Sequence, residues 1–189
     1  MAGRLEYDGV KSVGTGIARP PEKEVISLES AKPTRKLIRL MEYNYSAPGA
    51  YFITICTKDR RCLLWENVGT GIVRPSKLSH YGNIVNEAVR NIGAHYAGIL
   101  VDNYVVMPNH VHLILRICYD DSGRAMPVPT VSTVIQQTKG YVTKQIGHSI
   151  WQTRFYDHII RNQADYDDIY RYIEENPLRW EQDKLYSKT

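Results

Sequence analysis

The order of apolar patterns along the chain predicts an α+β domain, a small antiparallel sheet with helices packed on one face. Three observations carry this. Ala50 to Lys58, AYFITICTK, alternates β-branched and aromatic residues as a strand does. Ile99 to Met107 and His110 to Ile117 form two further β-rich runs parted only by Pro108 and Asn109, the signature of a tight strand pair. Ser79 to Tyr96 and Thr130 to Ile146 instead place apolar residues at helical spacings.

Residues 1–33 have no sustained period and contain Pro20, Pro21 and Pro33, which predicts a flexible arm; residues 34–180 read as a single domain and 181–189 as a charged, mobile tail. The octapeptide VGTGIARP at Val13–Pro20 returns as VGTGIVRP at Val68–Pro75. It is too short for a structural repeat and lacks the phosphate-loop spacing, so both copies read as inserted loop segments. In the first helix Ile84, Val85, Ala88, Val89 and Ile92 form the inner face. The second uses Val131, Val134, Ile135, Thr138, Tyr141, Val142 and Ile146, despite Gly140. A segment rich in aromatics, SIWQTRFYDHIIRNQ, follows. Asn162 is then placed to cap a last helix, with Asp165 at its positive end and Pro177 closing it.

With 189 residues, 43% hydrophobic and 23% charged, the chain suits one globular core and not disorder throughout. Its longest apolar runs fall short of a membrane span and its first thirty residues lack a signal-peptide core, so a cytoplasmic protein without a membrane partner is expected. Cys56, Cys62 and Cys118 cannot all pair within the chain and form no CxxC, and they read as structural. The net charge of +4 is matched by one segment, Arg35 to Arg61, where Arg35, Lys36, Arg39, Lys58, Arg60 and Arg61 face only Glu42 and Asp59. Basic residues interleaved with Tyr43, Tyr45, Tyr51 and Phe52 suit single-stranded nucleic acid, and suit equally a solvated rim around core tyrosines.

The chemistry gathers at Tyr104 to Arg116, YVVMPNHVHLILR. His110 and His112, two apart on a strand, leave the sheet on one face and can reach one metal ion. In the last helix Tyr166, Ile169, Tyr170 and Ile173 form the core stripe, and Tyr172 points about 110° away from it, beside Asn176 one turn on. Two imidazoles and an amide oxygen would leave positions open on Mg²⁺ or Mn²⁺ for phosphate oxygens. The same residues are also compatible with a buried histidine pair and a surface tyrosine.

Taken together, RKLIRLMEYNYSAPGAYFITICTKDRRCLL, DNYVVMPNHVHLIL, IWQTRFYDHIIRN and YRYIEENPLRW resemble the REP-associated tyrosine transposases, relatives of the small HUH (His, hydrophobic, His) single-tyrosine transposases. The match runs from about Arg35 to Trp180. The resemblance implies a ferredoxin-like sheet with the HUH on a central strand and the tyrosine on the C-terminal helix. It implies His110, His112 and Asn176 as ligands of Mg²⁺ or Mn²⁺, and Tyr172 as the nucleophile that forms a 5′-phosphotyrosine on DNA. The partner implied is single-stranded or hairpin DNA, bound by a monomer or a homodimer. Arg35, Lys36, Arg39, Arg60, Arg61, Arg154 and Arg161 are the candidates for backbone contacts. A relative that binds hairpins without cutting them is the alternative; an unrelated metal hydrolase would require a third His, Asp or Glu ligand.

Overall fold

The run HVHLILRI forms strand β3 (His110–Ile117), an inner strand of a four-stranded antiparallel sheet. Its neighbours are β1 (Gly49–Cys56) and β2 (Ile99–Val106), and β4 (Tyr156–Ile160) pairs with the far side of β1, giving the order β2-β3-β1-β4. The computed structural model describes residues 47–66, 77–119 and 128–187, all within one compact unit. A strand with neighbours on both sides and cover on both faces must be apolar almost throughout, and in β3 only Arg116 is exposed.

Alternation divides the sheet between two cores. On one face Tyr51, Ile53, Ile55, Val111, Leu113 and Leu115 meet Val85 and Val89 of α1 (His80–Arg90) and Val134, Ile135 and Val142 of α3 (Val131–Ile146). These are the helices expected on a single face. The last helix, α4 (Gln163–Glu175), departs from that expectation and lies across the other face, where Ile173 packs with Ile114 and Ile160. The cause is local: His112 and Ile114 alternate with Leu113 and Leu115, so β3 needs apolar cover on both sides, and the α4 stripe supplies the second.

Asn162 caps the last helix as expected, and Ser79 and Thr130, read only as the first residues of their helical segments, prove to be caps too. Ser79 Oγ accepts from Gly82 N at 3.0 Å, Thr130 Oγ1 from Thr133 N at 3.2 Å and Asn162 Oδ1 from Asp165 N at 2.9 Å. The helix expected over Ser79 to Tyr96 divides at Asn91 into α1 and a single turn, α2 (Ile92–His95). Gly147, at φ 89°, ends α3 in the left-handed conformation. Beyond α4 the chain continues as the 3-10 segment Asn176–Gln182, with Pro177 in its first turn. Periodicity alone did not place β4 in the element order, because five residues, YDHII, are too few to show an alternation.

Residues 181–187 correct the expectation of a mobile tail. Tyr186 packs against Trp180 with ring centroids 5.1 Å apart, and the Leu185 carbonyl accepts from Asn109 Nδ2 at 2.8 Å. Leu185 and Tyr186 anchor an otherwise charged run. The N-terminal arm and both octapeptides lie outside the described residues.

Two glycines in helices should respond to alanine with opposite signs. A Cβ on Gly82 would collide with the Leu64 carbonyl, whereas one on Gly140 meets nothing within 4 Å. We expect Gly82→Ala to destabilise the fold by about 3 kcal/mol and Gly140→Ala to stabilise it by about 1 kcal/mol, read from denaturant midpoints.

Candidate metal and nucleophile site

On β3 the rings of His110 and His112 sit with centroids 4.4 Å apart, both buried. Each is oriented through Nδ1. For His110 the partner is Asn109 Oδ1 at 2.8 Å, and for His112 it is Thr54 Oγ1 at 2.9 Å on the neighbouring strand. Asn109 Nδ2 is committed to Arg60 O, Leu185 O and Ser187 Oγ, which settles the amide's orientation and makes Oδ1 an acceptor. His110 must therefore carry its proton on Nδ1, leaving a bare lone pair on Nε2. That atom is buried and has no hydrogen-bond partner among the described residues.

Helix α4 brings Tyr172 over the pair. Its hydroxyl lies 3.2 Å from His112 Nε2 and 3.0 Å from Asp183 Oδ2, and Asn176 Nδ2 donates to the same carboxylate oxygen at 2.9 Å. Ionised Asp183 can only accept, so the phenol proton points to it. His112 then donates from Nε2 to the phenol oxygen while Nδ1 accepts from the Thr54 hydroxyl. A hydroxyl both donates and accepts, so Thr54 supports the opposite tautomer equally well and can free Nε2 as a ligand.

Charge follows from burial. Desolvation pulls the His110 pKa down to about 4, against the attraction of Asp183 and helped by Arg60, and desolvation with the neighbouring His110 holds His112 well below 6.5. Burial likewise pushes the Tyr172 phenol up to about 12, reinforced by the Asp183 charge. Burial also pushes the Asp183 carboxyl up, but hydrogen bonds from the Leu185 amide and the Asn176 side chain outweigh it and keep the group an anion.

His110, His112 and Asp183 each offer a ligand atom within 4.8 Å of the others. Asn176 Oδ1 is a second buried atom without a partner among the described residues. Neutral imidazole nitrogens, a carboxylate and an amide oxygen are a donor set that suits a divalent cation. Asp183 was missed by sequence reasoning, which had assigned it to the tail; seven residues past Asn176, in a charged run, it carries no spacing signal. Asn109 offered a weak one, since it directly precedes the histidines. The third ligand that a metal hydrolase would require is thus present as a carboxylate, but it sits in the same cluster as Tyr172.

Among the candidate basic residues, Arg35, Lys36 and Arg39 lie outside the described residues. Arg60 is close enough to act electrostatically on His110. Asp59 and Arg60 both adopt positive φ, 56° and 55°, a conformation side chains disfavour. The Arg60 carbonyl is held by Asn109 Nδ2 at 3.2 Å and Ser187 Oγ at 2.9 Å. Arg61 follows, exposed, and Arg154 flanks the same end of β1, where Gln152 N bonds Cys56 O. Arg161 follows Ile160, which pairs with Ala50 at the opposite end of β1, away from the histidines. Tyr51, expected to alternate with the basic residues, is a fully buried core side chain.

No family model matches the chain. An uncharacterized protein of Haemophilus influenzae is 36% identical over 171 residues, covering 80% of this chain and 93% of that protein. A REP-associated tyrosine transposase of Escherichia coli is 32% identical over 80 residues, 42% of this chain and 44% of that one. Among solved structures, a REP-associated tyrosine transposase bound to a REP hairpin is similar over 74% of each chain, with a TM-score of 0.54 and 25% identity. The fold and these likenesses define a transposase-like protein. In sequence and fold the chain is similar to the REP-associated tyrosine transposases.

Both histidine pKa values lie below the unfolded value of 6.5, so on acidification the unfolded chain takes up protons that the native site refuses. The contribution is complete above about pH 6.5 and is lost as pH falls towards 4. With metal chelated, we expect the denaturation midpoint to drop between about pH 7 and about pH 4.5, and to drop less in His112→Gln. Equal slopes for the two proteins would contradict the buried, neutral pair.

Proposed function

We propose that the chain cuts and rejoins single-stranded DNA beside a hairpin, with Tyr172 as nucleophile. The observation that carries this is a half-exposed phenol hydroxyl in hydrogen-bond reach of both an imidazole and a carboxylate, inside a cluster of donors suited to a divalent cation. The hairpin partner is inferred from the related transposase that was solved with a REP hairpin.

His110, His112 and Asp183, with Asn176 Oδ1 beside them, would hold Mg²⁺ or Mn²⁺. Such a cation would polarise the scissile phosphodiester and orient it for in-line attack. The remaining chemistry belongs to the side chains. A phenol with a pKa near 12 is a weak nucleophile, and Asp183 Oδ2, already accepting its hydrogen bond, is placed to take the proton as the new bond forms. Tyr172 Oη bonds to phosphorus, the P–O3′ bond breaks, and the departing oxygen takes a proton from water to become a 3′ hydroxyl, balancing the one passed to Asp183. The 5′ end stays on the protein as a phosphotyrosine. Attack by another 3′ hydroxyl reverses these changes and restores the phenol, so rejoining needs no nucleotide triphosphate. Arg60, Arg61 and Arg154 line the histidine end of the sheet as backbone contacts, with Arg35, Lys36, Arg39 and Arg161 completing the basic set.

We expect labelled hairpin DNA with a single-stranded flank to be cleaved in Mn²⁺ or Mg²⁺ and to yield a protein-linked band on denaturing gels. Chelation and Tyr172→Phe should each abolish the band. Asp183→Asn should slow cleavage roughly 100-fold or more, in the range for loss of a general base, while hairpin binding in chelator persists. A Phe variant that cuts as well as the parent would remove Tyr172 from the mechanism.

A further inference from the structure

Tyr156 has no part in the chemistry above, yet at 52% it is among the most exposed large hydrophobic side chains of the described residues. It begins β4 opposite Thr54, the residue that orients His112, so its ring shares the sheet face of the histidines. Further along β4, His158 is covered by the first turn of α4, with Nε2 2.9 Å from Asp165 Oδ2. The helix therefore shields one end of β4 and leaves Tyr156 open.

A continuous aromatic surface runs from this ring to the nucleophile. Phe52 meets Tyr156 edge-on at 6.5 Å, Tyr172 edge-on at 6.1 Å and the His112 ring at 5.1 Å. The approach to it is also held in place. Lys139 Nζ, on α3, donates to the carbonyls of Gln152 and Arg154 at 2.8 and 3.1 Å, fixing the segment that enters β4. Exposed Arg154, Lys58, Arg60 and Arg61 make that end of the sheet positive. An open aromatic ring on a sheet strand, next to exposed positive charge, is the surface on which an unpaired base stacks while its phosphates are neutralised.

We propose that Tyr156 is a stacking platform for an unpaired nucleobase flanking the phosphate at Tyr172. This rests on the nuclease reading for its ligand, single-stranded DNA, but concerns binding and not the chemical step. The platform selects for strand separation and not for sequence, since every base has a π-face. It also explains why an edge strand should leave its largest side chain uncovered at the end nearest the site.

The test uses the full chain in chelator, where no cleavage can occur, and a fluorescein-labelled DNA hairpin with a single-stranded flank, intact or with one abasic position moved along the flank. We expect Tyr156→Ala to weaken binding about tenfold, and Tyr156→Phe, which keeps the ring, to bind like the parent. One abasic position should weaken the parent by a similar factor and leave the Ala variant unaffected. A hairpin without a flank should bind parent and Ala variant equally. The proposal is overturned if every abasic probe affects both proteins alike, or if Tyr156→Ala binds the intact probe as tightly as the parent. Flank-dependent binding that Tyr156→Ala weakens, together with absence of Mn²⁺-dependent cleavage, would support the platform and count against the nucleophile alone.

Discussion

Two imidazoles held neutral and side by side in an apolar strand are the constraint on which the rest of this structure depends. Burying histidine without its proton is tolerable only if each ring's polar atoms are directed. Asn109 and Thr54 direct both Nδ1 atoms, one from the preceding residue and one from the adjacent strand. Asn109 is in turn fixed by three acceptors, one on the positive-φ turn at Arg60 and two on the returning C-terminal segment. The orientation of one imidazole thus ties together β1, β3 and the chain end.

The other half of the site follows from α4 being, among the described α-helices, the one that covers this face of the sheet. The face with α1 and α3 is filled by a buried apolar core of aliphatic and aromatic side chains. Across the opposite face α4 packs Ile173 on Ile114 and Ile160, with Ala50, Phe52 and Val105 beside them. The histidine end of that face is roofed by Tyr172, Asn176 and Asp183, all polar and all in contact with one another. Asp183 raises the phenol pKa by its charge and is also the nearest proton acceptor, so the group that keeps the resting phenol protonated is the group placed to deprotonate it.

Much of this was legible from the chain. Strand alternation in AYFITICTK and HVHLILRI, and the cap at Asn162, depend on neighbours within a few residues, and the structure places these elements and this cap as expected. The off-stripe direction of Tyr172 and its four-residue step to Asn176 are likewise properties of one helix. Less legible were β4, too short for a period and recognisable only once paired with β1, and the cover of the second face by α4, which amphipathicity cannot assign to one side of a sheet.

What the sequence by itself determined is therefore local: the two same-face histidines, a tyrosine turned off its helix's core stripe, and the alternation that makes β3 an inner strand. Only the tertiary structure decided that Asp183 joins them, that Asn109 sets the His110 tautomer, and that Tyr156 stands open at the edge. Those three outcomes depend on contacts between residues distant in the chain or on which strand another element leaves uncovered, and no periodicity encodes distance through space.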